Sequence, residues 1–524
     1  MVVHSHFRPG GVRRVIELAL PAFAASSTLK LTEVVLLGGE RPDQPWNAVV
    51  RTRLPGIRVR FAATRALGYI AETRATPAGV ARAVKRVLDR TLDAGPAGDT
   101  VVWAHNLGLG RNLLLANALT RACQRRGIPL VSHHHDWWFD NRWQRWPEFQ
   151  RTGFHTLASI AKTVFATAST VRHAAINRAD QRALSGSGNR STGLHSTWFP
   201  NLVVRPPLPS RDEVAQARQW CHGQMEGRAP FWLLPCRLLR RKNVAEAWLL
   251  ARWFRPDAWL LTTGGTSSAD ERPYAEALRR AGQHHGWKLR LGILAGGESD
   301  KPRIPALLAA SEVLLLTSVQ EGFGLPNLEA AAAQRPLLAR RLPLVAPDLK
   351  VFGFHFAQAY DEVWIDPRLF DQRAEQDRQE ARWLAWRRAL PRACRVFATR
   401  PPWLESPGRA WAFSRLTLQA QLEVLSHPPA ETWNACVRLN PSLQAWPALG
   451  AAAAWSVSAW PEQADRFLSA DAYARRFARL LRPSSQAAVS ASAAASTARQ
   501  VSESFFRDRL GGHNQYPLLW SLDP

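Results

Sequence analysis

Short apolar runs alternate with amphipathic stretches along most of the chain. In residues 31-130 the runs "LTEVVLL", "TVVWAHN" and "IPLVSHH" are separated by stretches of helical periodicity such as "RAVKRVLDRTLDA". This alternation is typical of βαβ units around a parallel sheet. The same alternation of apolar runs and helical stretches begins again at "FWLLPC" and continues to "RPLLARR" at 335-341. The pattern therefore predicts an α/β protein with two Rossmann-like, doubly wound domains.

A proline-rich stretch, "VVRPPLPSRDE", separates the two halves. We expect one domain over residues 1-205 and a second over residues 206-385. A segment at 386-425 and a mostly helical extension at 426-524 follow. In that extension the Ser/Ala segment 484-498 has few large apolar residues, so we expect it to be a flexible linker.

Two glutamates, Glu321 and Glu329, flank a glycine turn in "SVQEGFGLPNLEAAAAQ". The apolar run "VLLLTS" in front of them predicts a buried strand, and Pro326 suits the first turn of a following helix. The turn then lies at the carboxyl edge of the sheet, where ligands of such folds bind. We expect the two carboxylates to hydrogen-bond one polyhydroxylated ligand.

This stretch resembles the E-x7-E signature of retaining GT-B glycosyltransferases, the family 4-like group that includes phosphatidylinositol mannosyltransferase and sucrose-phosphate synthase. The resemblance implies two Rossmann-like domains facing a cleft, with the segment 386-425 crossing back to the first domain. It implies that Glu329 holds the nucleotide ribose and that Glu321 holds the donor sugar. The backbone amides that assist Glu321 would be those of Gly322, Phe323, Gly324 and Leu325.

Further segments match the same family. In "LPCRLLRRKNVAEAW", Arg237 and Lys242 occupy the positions of the cations that grip the donor diphosphate, although Asn243 replaces the usual glycine. Fixed cations of this kind stabilise the charge of a departing diphosphate. In "FRPGGVRRVIELA", Gly10 and Gly11 resemble the loop that faces the diphosphate.

The segment "VSHHHDWWFDNRW" resembles the place where the family has a histidine near the transferred sugar. His135 with Asp136 fits best, and His133 and His134 remain alternatives. We expect no metal there, because successive side chains of a strand point to opposite faces. His105 and Asn106 in "WAHNLGLGRN" are expected on the acceptor side.

No D-x-D motif occurs in the chain, which favours a metal-independent reaction without a cofactor. The five cysteines are scattered and form no CxxC pair, as in a reducing compartment. No apolar run is long enough to cross a bilayer, and we find no signal peptide. We expect a cytoplasmic protein.

The net charge is +26, although only seven of the 68 basic residues are lysines. The excess of arginine is either a bias of composition or an attraction to the anionic inner face of a membrane. If the charge reflects attraction to a membrane, the tryptophans of "DWWFDNRWQRW" are either interfacial anchors or core residues.

The expected activity is transfer of a hexosyl group, with retention of configuration, from a nucleotide sugar to a hydroxyl of a glycan or lipid-linked acceptor. Cell-envelope or polysaccharide biosynthesis is the expected setting. Two alternatives are a nucleotide-sugar epimerase or hydrolase of the same fold and a basic nucleic-acid-binding protein. The second leaves the Glu321 and Lys242 motifs unexplained, so we do not expect nucleic acid as a partner.

Overall fold

A computed structural model describes residues 1-93, 97-140, 145-186, 194-225, 227-266, 269-296, 300-405, 408-482 and 491-520. The chain divides into two compact units. The first comprises Met1–Val204, Arg388–Thr399 and Gln463–Gly511. The second comprises Arg205–Arg387, Arg400–Glu462 and the described residues from Gly512 on.

The first unit is built on a parallel sheet with the strand order β3-β2-β1-β4-β5-β6-β7. Its strands are β1 (Val2–His4), β2 (Glu33–Gly38), β3 (Arg58–Ala63), β4 (Val102–His105), β5 (Leu130–His134), β6 (Val171–Ala175) and β7 (Ser196–Trp198). The helices in its first segment, Met1–Val204, are α1 (Gly11–Ala24), α2 (Gln44–Thr52), α3 (Pro77–Leu92), α4 (Leu113–Arg126), α5 (Trp146–Arg151), α6 (Leu157–Val164) and α7 (Arg178–Ser185). The central strands are buried throughout, as parallel strands covered by helices on both faces must be.

The second unit repeats this plan with the strand order β10-β9-β8-β11-β12-β13, again all parallel. Its strands are β8 (Phe231–Arg237), β9 (Trp259–Gly264), β10 (Leu289–Arg290), β11 (Val313–Leu316), β12 (Leu337–Arg340) and β13 (Ala359–Tyr360). Its helices are α8 (Arg211–Gly223), α9 (Val244–Phe254), α10 (Arg272–His284), α11 (Ile304–Ala310), α12 (Leu325–Ala332) and α13 (Ala346–Phe352). The expected fold class, two Rossmann-like domains, is confirmed.

The rest of the chain is mainly helical. It contains a short antiparallel pair, β14 (Trp364–Ile365) and β15 (Trp411–Ala412). Its helices are α14 (Gln372–Ala389), α15 (Pro402–Glu405), α16 (Leu418–Ser426), α17 (Pro429–Cys436), α18 (Trp446–Ala451), α19 (Asp465–Leu468), α20 (Ala470–Leu480) and α21 (Ala491–Leu510).

Residues 426-524 do not form one extension, because their apolar faces are buried in different units. In the second unit, Trp446 of α18 lies with its ring 5.4 Å from that of Phe254 in α9. In the first unit, Phe477 of α20 stacks on Phe23 of α1 at 4.4 Å. The segment predicted to cross at 386-425 is likewise divided, with Arg388–Thr399 in the first unit and Arg400 onward in the second.

The expectation of a flexible linker at 484-498 needs correction. Residues 484-490 lie outside the described residues, but the remainder belongs to α21. Alanine is the best helix former, and Ala498, Val501 and Phe505 recur at helical spacing and are buried. The stretch is therefore helical because the residues after it anchor it to the first unit.

The two tryptophans at the start of the segment "DWWFDNRWQRW" are core residues. Trp137 and Trp138 are buried, and the ring of Trp137 lies 4.9 Å from that of Phe505. Neither ring can reach a membrane surface. In the described ranges, no helix combines the length and the apolar character that a membrane crossing requires.

Replacing Phe505 tests the anchoring of α21. The ring also contacts Phe139 at 5.0 Å, so Phe505→Ala leaves a cavity and is expected to lower the free energy of unfolding by about 3-5 kcal/mol. The matched control is Arg499→Ala on the same helix, whose side chain is 76% exposed. Denaturant unfolding of both variants provides the measurement. A loss no larger for Phe505→Ala than for Arg499→Ala would show that the helix is not anchored there.

Candidate functional site

The strand order of the second unit reverses between β8 and β11, which lie side by side in the sheet. From these two strands the chain continues in opposite directions across the sheet. The loops at their carboxyl ends therefore leave a crevice, which is where ligands of open α/β sheets bind. The loop after β8 carries Lys242, and the loop after β11 carries Glu321.

Lys242 is positioned by a tight turn between β8 and α9. Arg240–Lys242 form one turn of 3-10 helix, and Asn243 follows with a φ of 46°. Asparagine tolerates this left-handed conformation better than most residues other than glycine. The side-chain nitrogen of Asn243, Nδ2, also donates a hydrogen bond to Glu246 Oε2 at 2.8 Å.

Glu321 joins the two loops through its side chain. Its carboxylate accepts a hydrogen bond from Lys242 Nζ, and it accepts others from Arg241 Nη1 at 3.1 Å and Ser318 Oγ at 2.7 Å. Burial alone would raise the pKa of Glu321, but the charges of Lys242 and Arg241 outweigh it and lower the pKa to about 2. Glu321 is therefore ionised at neutral pH.

Backbone hydrogen bonds hold the same two loops together. The Val319 amide donates to the Arg241 carbonyl at 2.8 Å. Thr317 Oγ1 donates to the carbonyls of Lys242 and Asn243 at 3.0 and 3.1 Å. The cations of one loop are thus fixed relative to the carboxylate of the other without a ligand.

The turn after Glu321 contains backbone N–H groups that have no acceptor within the described residues. Gly324 has a φ of 73°, and a Cβ atom at this position would collide with Val345 Cγ1, so only glycine fits. Within the described residues, the N–H groups of Phe323, Gly324 and Leu325 donate no hydrogen bond. They precede the first turn of α12, a position that favours the oxygen atoms of an anionic or polar ligand.

Glu329 differs from Glu321 in its surroundings. It is half-buried on α12, and among the described residues no donor hydrogen-bonds its carboxylate. Burial raises the pKa of Glu329 to about 7, with Lys242 opposing the shift and Glu321 reinforcing it. Such a group gains most when a ligand supplies the missing donors.

Arg237, at the end of β8, is exposed, and its side chain forms no ion pair with any described residue. Its stem packs against the backbone of β9, where a Cβ on Gly264 would lie 2.9 Å from Arg237 Cγ. The structure thus places Lys242, Glu321, Gly322, Phe323, Gly324, Leu325 and Glu329 together, with Arg237 at the end of the same strand that leads to Lys242. Its predicted contact with a diphosphate stays a prediction.

The glycines predicted to face a diphosphate lie in the first unit. Gly10 and Gly11 are exposed where β1 leads into α1. A Cβ on Gly11 would meet no atom within 4 Å, so nothing in the protein itself requires glycine there. Their conformations are compatible with a ligand approaching the backbone, and that role stays a prediction.

The three histidines at the end of β5 have different surroundings. His134 is buried and hydrogen-bonds His173 at 2.9 Å, and His133 is fully buried, whereas His135 is half-buried. Of the three, His135 is therefore the one that a ligand can reach. Burial lowers the pKa of His135 to about 4, although the charge of Asp136 acts in the opposite direction.

Asn106 positions this turn. Its side-chain oxygen accepts hydrogen bonds from the amides of His135 and Asp136 at 2.8 and 3.2 Å. The neighbouring His105 is buried and lies 3.1 Å from His135, measured from Nδ1 to Nε2. Contact of these residues with an acceptor stays a prediction.

Sequence reasoning missed Arg241 as a second partner of Glu321. The signal was present, since Arg241 stands next to Lys242 in "RRKN", but which of three consecutive cations reaches the carboxylate depends on the turn. It also missed the convergence of His105, His133 and His135. Alternation along β5 separates His134 from its neighbours but leaves His133 and His135 on one face.

Solved structures show which fold this is. Sucrose-phosphate synthase from Thermosynechococcus elongatus superimposes with a TM-score of 0.51 and 14% identity, covering 91% of this chain and 97% of that chain. The N-terminal domain of Candida albicans trehalose-6-phosphate phosphatase gives a TM-score of 0.51 and 11% identity, with coverages of 92% and 95%. The fold is that of the GT-B glycosyltransferases.

Two curated relatives are similar in sequence. Mannosylglucosyl-3-phosphoglycerate synthase from Petrotoga mobilis is 27% identical over 251 residues, which are 47% of this chain and 47% of the relative. Mannosylglucosylglycerate synthase from the same organism is 21% identical over 281 residues, 49% of this chain and 62% of the relative. The matches thus span only about half to three fifths of each relative. No family model matches the chain.

The pKa of Glu329 leads to a prediction about ligand affinity. Ribose hydroxyls would donate to the ionised carboxylate, so binding should release a proton from a group whose pKa is about 7. Affinity for a nucleotide sugar is expected to be constant above pH 8 and to weaken by up to about tenfold per unit as the pH falls below 7.

Calorimetric titration between pH 5.5 and 8.5 measures this dependence, because the diphosphate of a nucleotide sugar does not titrate in that range. The control is Glu329→Gln, which keeps the shape of the side chain and should remove the dependence. The same pH profile in the wild type and in Glu329→Gln would exclude Glu329 as its source.

Proposed function

We propose that this chain is a retaining glycosyltransferase that transfers a hexosyl group from a nucleotide sugar to a hydroxyl group of its acceptor. The bond between the anomeric carbon and the diphosphate oxygen breaks, and its electron pair leaves with the diphosphate. The acceptor oxygen bonds the anomeric carbon on the same face, and its proton passes to the departing diphosphate.

The observation that carries this proposal is the pair of contrasting carboxylates beside fixed cations at the switch point of the second unit. Glu321 is fully ionised and holds Lys242 in place, while Glu329 lacks a protein donor among the described residues. A nucleotide sugar supplies what this arrangement lacks, since it combines ribose hydroxyls, a diphosphate and a hexose. In this proposal Glu329 binds the ribose, and Lys242 and Arg237 stabilise the leaving diphosphate.

The exposed amides fit the donor sugar. The N–H groups of Phe323, Gly324 and Leu325 lie two to four positions after Glu321 in the chain, so they can bind oxygens of the hexose or of its phosphate. Fixed donors of this kind orient the reacting carbon and need no rearrangement during the reaction.

The acceptor is proposed to be a glycan or a lipid-linked saccharide, with cell-envelope or polysaccharide biosynthesis as the setting. The net charge of +26 would favour acceptors at an anionic membrane surface. The two relatives are named as synthases of mannosylglucosyl compounds of glycerate, so small glucosyl-glycerate acceptors belong in the same screen.

Product analysis tests the proposal. UDP-, GDP- and ADP-hexoses are incubated with the protein and with each acceptor class, and the products are examined by mass spectrometry and by proton NMR of the anomeric signal. The proposal expects a glycoside whose anomeric configuration equals that of the donor. Release of free sugar or an epimerised donor, equally fast with and without acceptor, would support a hydrolase or an epimerase instead.

Removing the cations should slow transfer. Lys242→Met and Arg237→Met keep most of the apolar stem but lose the charge, and each is expected to lower the turnover number by about 10²-10³. The control is Arg341→Met, which removes a surface arginine paired with Asp361. Initial rates at saturating donor are compared after circular dichroism confirms folding. Turnover close to that of the control in both variants would refute the proposed role of these cations.

Chelation should leave transfer intact. Because fixed cations are proposed to meet the charge of the leaving group, EDTA is expected to change the initial rate by less than about twofold. Rates are measured before and after chelation and again after Mg²⁺ or Mn²⁺ is added. An activity that disappears with EDTA and returns with Mg²⁺, an ion that three imidazoles do not favour, would show that a metal carries the diphosphate.

A further inference from the structure

Histidines line the carboxyl edge of the sheet in the first unit. His105 at the end of β4 is the register partner of His133 in β5, and His135 lies two positions further along the same chain. His135 follows the last residue of β5, and its ring lies next to those of His133 and His105. The ring centroids are 5.3 Å apart for His105 and His133, 5.3 Å for His105 and His135, and 4.2 Å for His133 and His135.

Three of the six ring nitrogens in this group are buried without a hydrogen-bond partner among the described residues. His133 is completely buried, and neither of its ring nitrogens is hydrogen-bonded to a described residue. His105 Nε2 is equally unpartnered, and the single bond from His105 Nδ1 to His135 Nε2 satisfies only one nitrogen of each ring. A buried polar group without a partner is destabilising, so three such nitrogens close together indicate a missing ligand.

We propose that His105, His133 and His135 bind a divalent transition-metal ion, with Zn²⁺ as the natural occupant. One ligating nitrogen of each residue lies within 4.8 Å of the others, so small side-chain movements bring all three to one ion. In a tetrahedral site with Zn–N distances of about 2.0-2.1 Å, ring centroids are about 5 Å apart, close to the observed spacing.

The chemistry of the group selects the ion. Three imidazoles suit Zn²⁺ and its transition-metal neighbours, whereas Mg²⁺ and Ca²⁺ require mainly oxygen ligands. Three protein ligands also leave a fourth position open to water or another small ligand. His4, whose ring lies 6.0 Å from that of His105 and whose Nδ1 is unpartnered among the described residues, borders this group.

This inference is independent of the proposed glycosyl transfer, because its readout is bound metal. The chelation experiment on transfer tests the roles proposed for Arg237 and Lys242, whereas the metal titration reports on the histidines directly.

The experiment uses the full-length protein, purified without a polyhistidine tag, stripped with chelator and dialysed. Co²⁺ is titrated while the visible spectrum is recorded, and Zn²⁺ is then added as competitor. We expect one equivalent of Co²⁺ to produce the intense absorption of a four-coordinate site and Zn²⁺ to abolish it. Mg²⁺ should have no effect.

Variants assign the signal to these residues. His133→Leu and His135→Ala should lose the Co²⁺ band and bind Zn²⁺ at least about tenfold more weakly. The matched control is His134→Leu, which removes the intervening histidine that bonds His173 instead, and it should keep the band. Because His133 is buried, the decision rests on His135→Ala if His133→Leu fails to fold. A folded wild type without a Co²⁺ band, or a band unchanged in His135→Ala, would overturn the proposal.

Discussion

A buried carboxylate must be paired, and in the second unit that requirement determines the geometry of the candidate site. Glu321 is held by Lys242 and Arg241, which belong to the loop of a different strand. Removing both cations would leave an uncompensated charge, so these ion pairs hold the two loops at the switch point in their relative positions. The left-handed turn at Asn243 and the hydrogen bonds of Thr317 also hold the two loops in their relative positions. The unpartnered amides of Phe323, Gly324 and Leu325 therefore lie next to loops that are already held in place without a ligand.

Glu329, the second carboxylate of the same motif, has its pKa shifted in the opposite direction from that of Glu321. It lies eight positions further on, yet burial without a donor raises its pKa to about 7, while the cations hold the pKa of Glu321 at about 2. Environment, not residue type, separates the two roles. Glu321 has its partners within the protein and acts as a fixed support. Glu329 has unsatisfied acceptors, so it is the member of the pair that a ligand stabilises most.

The sequence was informative where local chemistry decides the outcome. Apolar runs predicted the parallel strands. The glycine turn between Glu321 and Glu329 predicted the position of the candidate site, because a loop after a buried strand can only lie at the carboxyl edge. Arg241 could not be chosen over its neighbours without the turn. The histidine group required the register of β4 and β5, which pairs His105 with His133 across distant parts of the chain. Helix α21 was missed because its anchor, Phe505, follows the Ser/Ala stretch rather than lying within it.

Hydrogen–deuterium exchange of the full-length chain with and without a saturating nucleoside diphosphate tests most directly where the ligand binds. The amides of Phe323, Gly324 and Leu325 lack protein acceptors in the described structure, so they should exchange fast in the free protein and be protected by the ligand. We predict protection of peptides covering residues 237-243 and 318-329 for at least one of UDP, GDP and ADP. Saturable binding that protects other peptides and leaves both of these unchanged would contradict the assignment of the donor site.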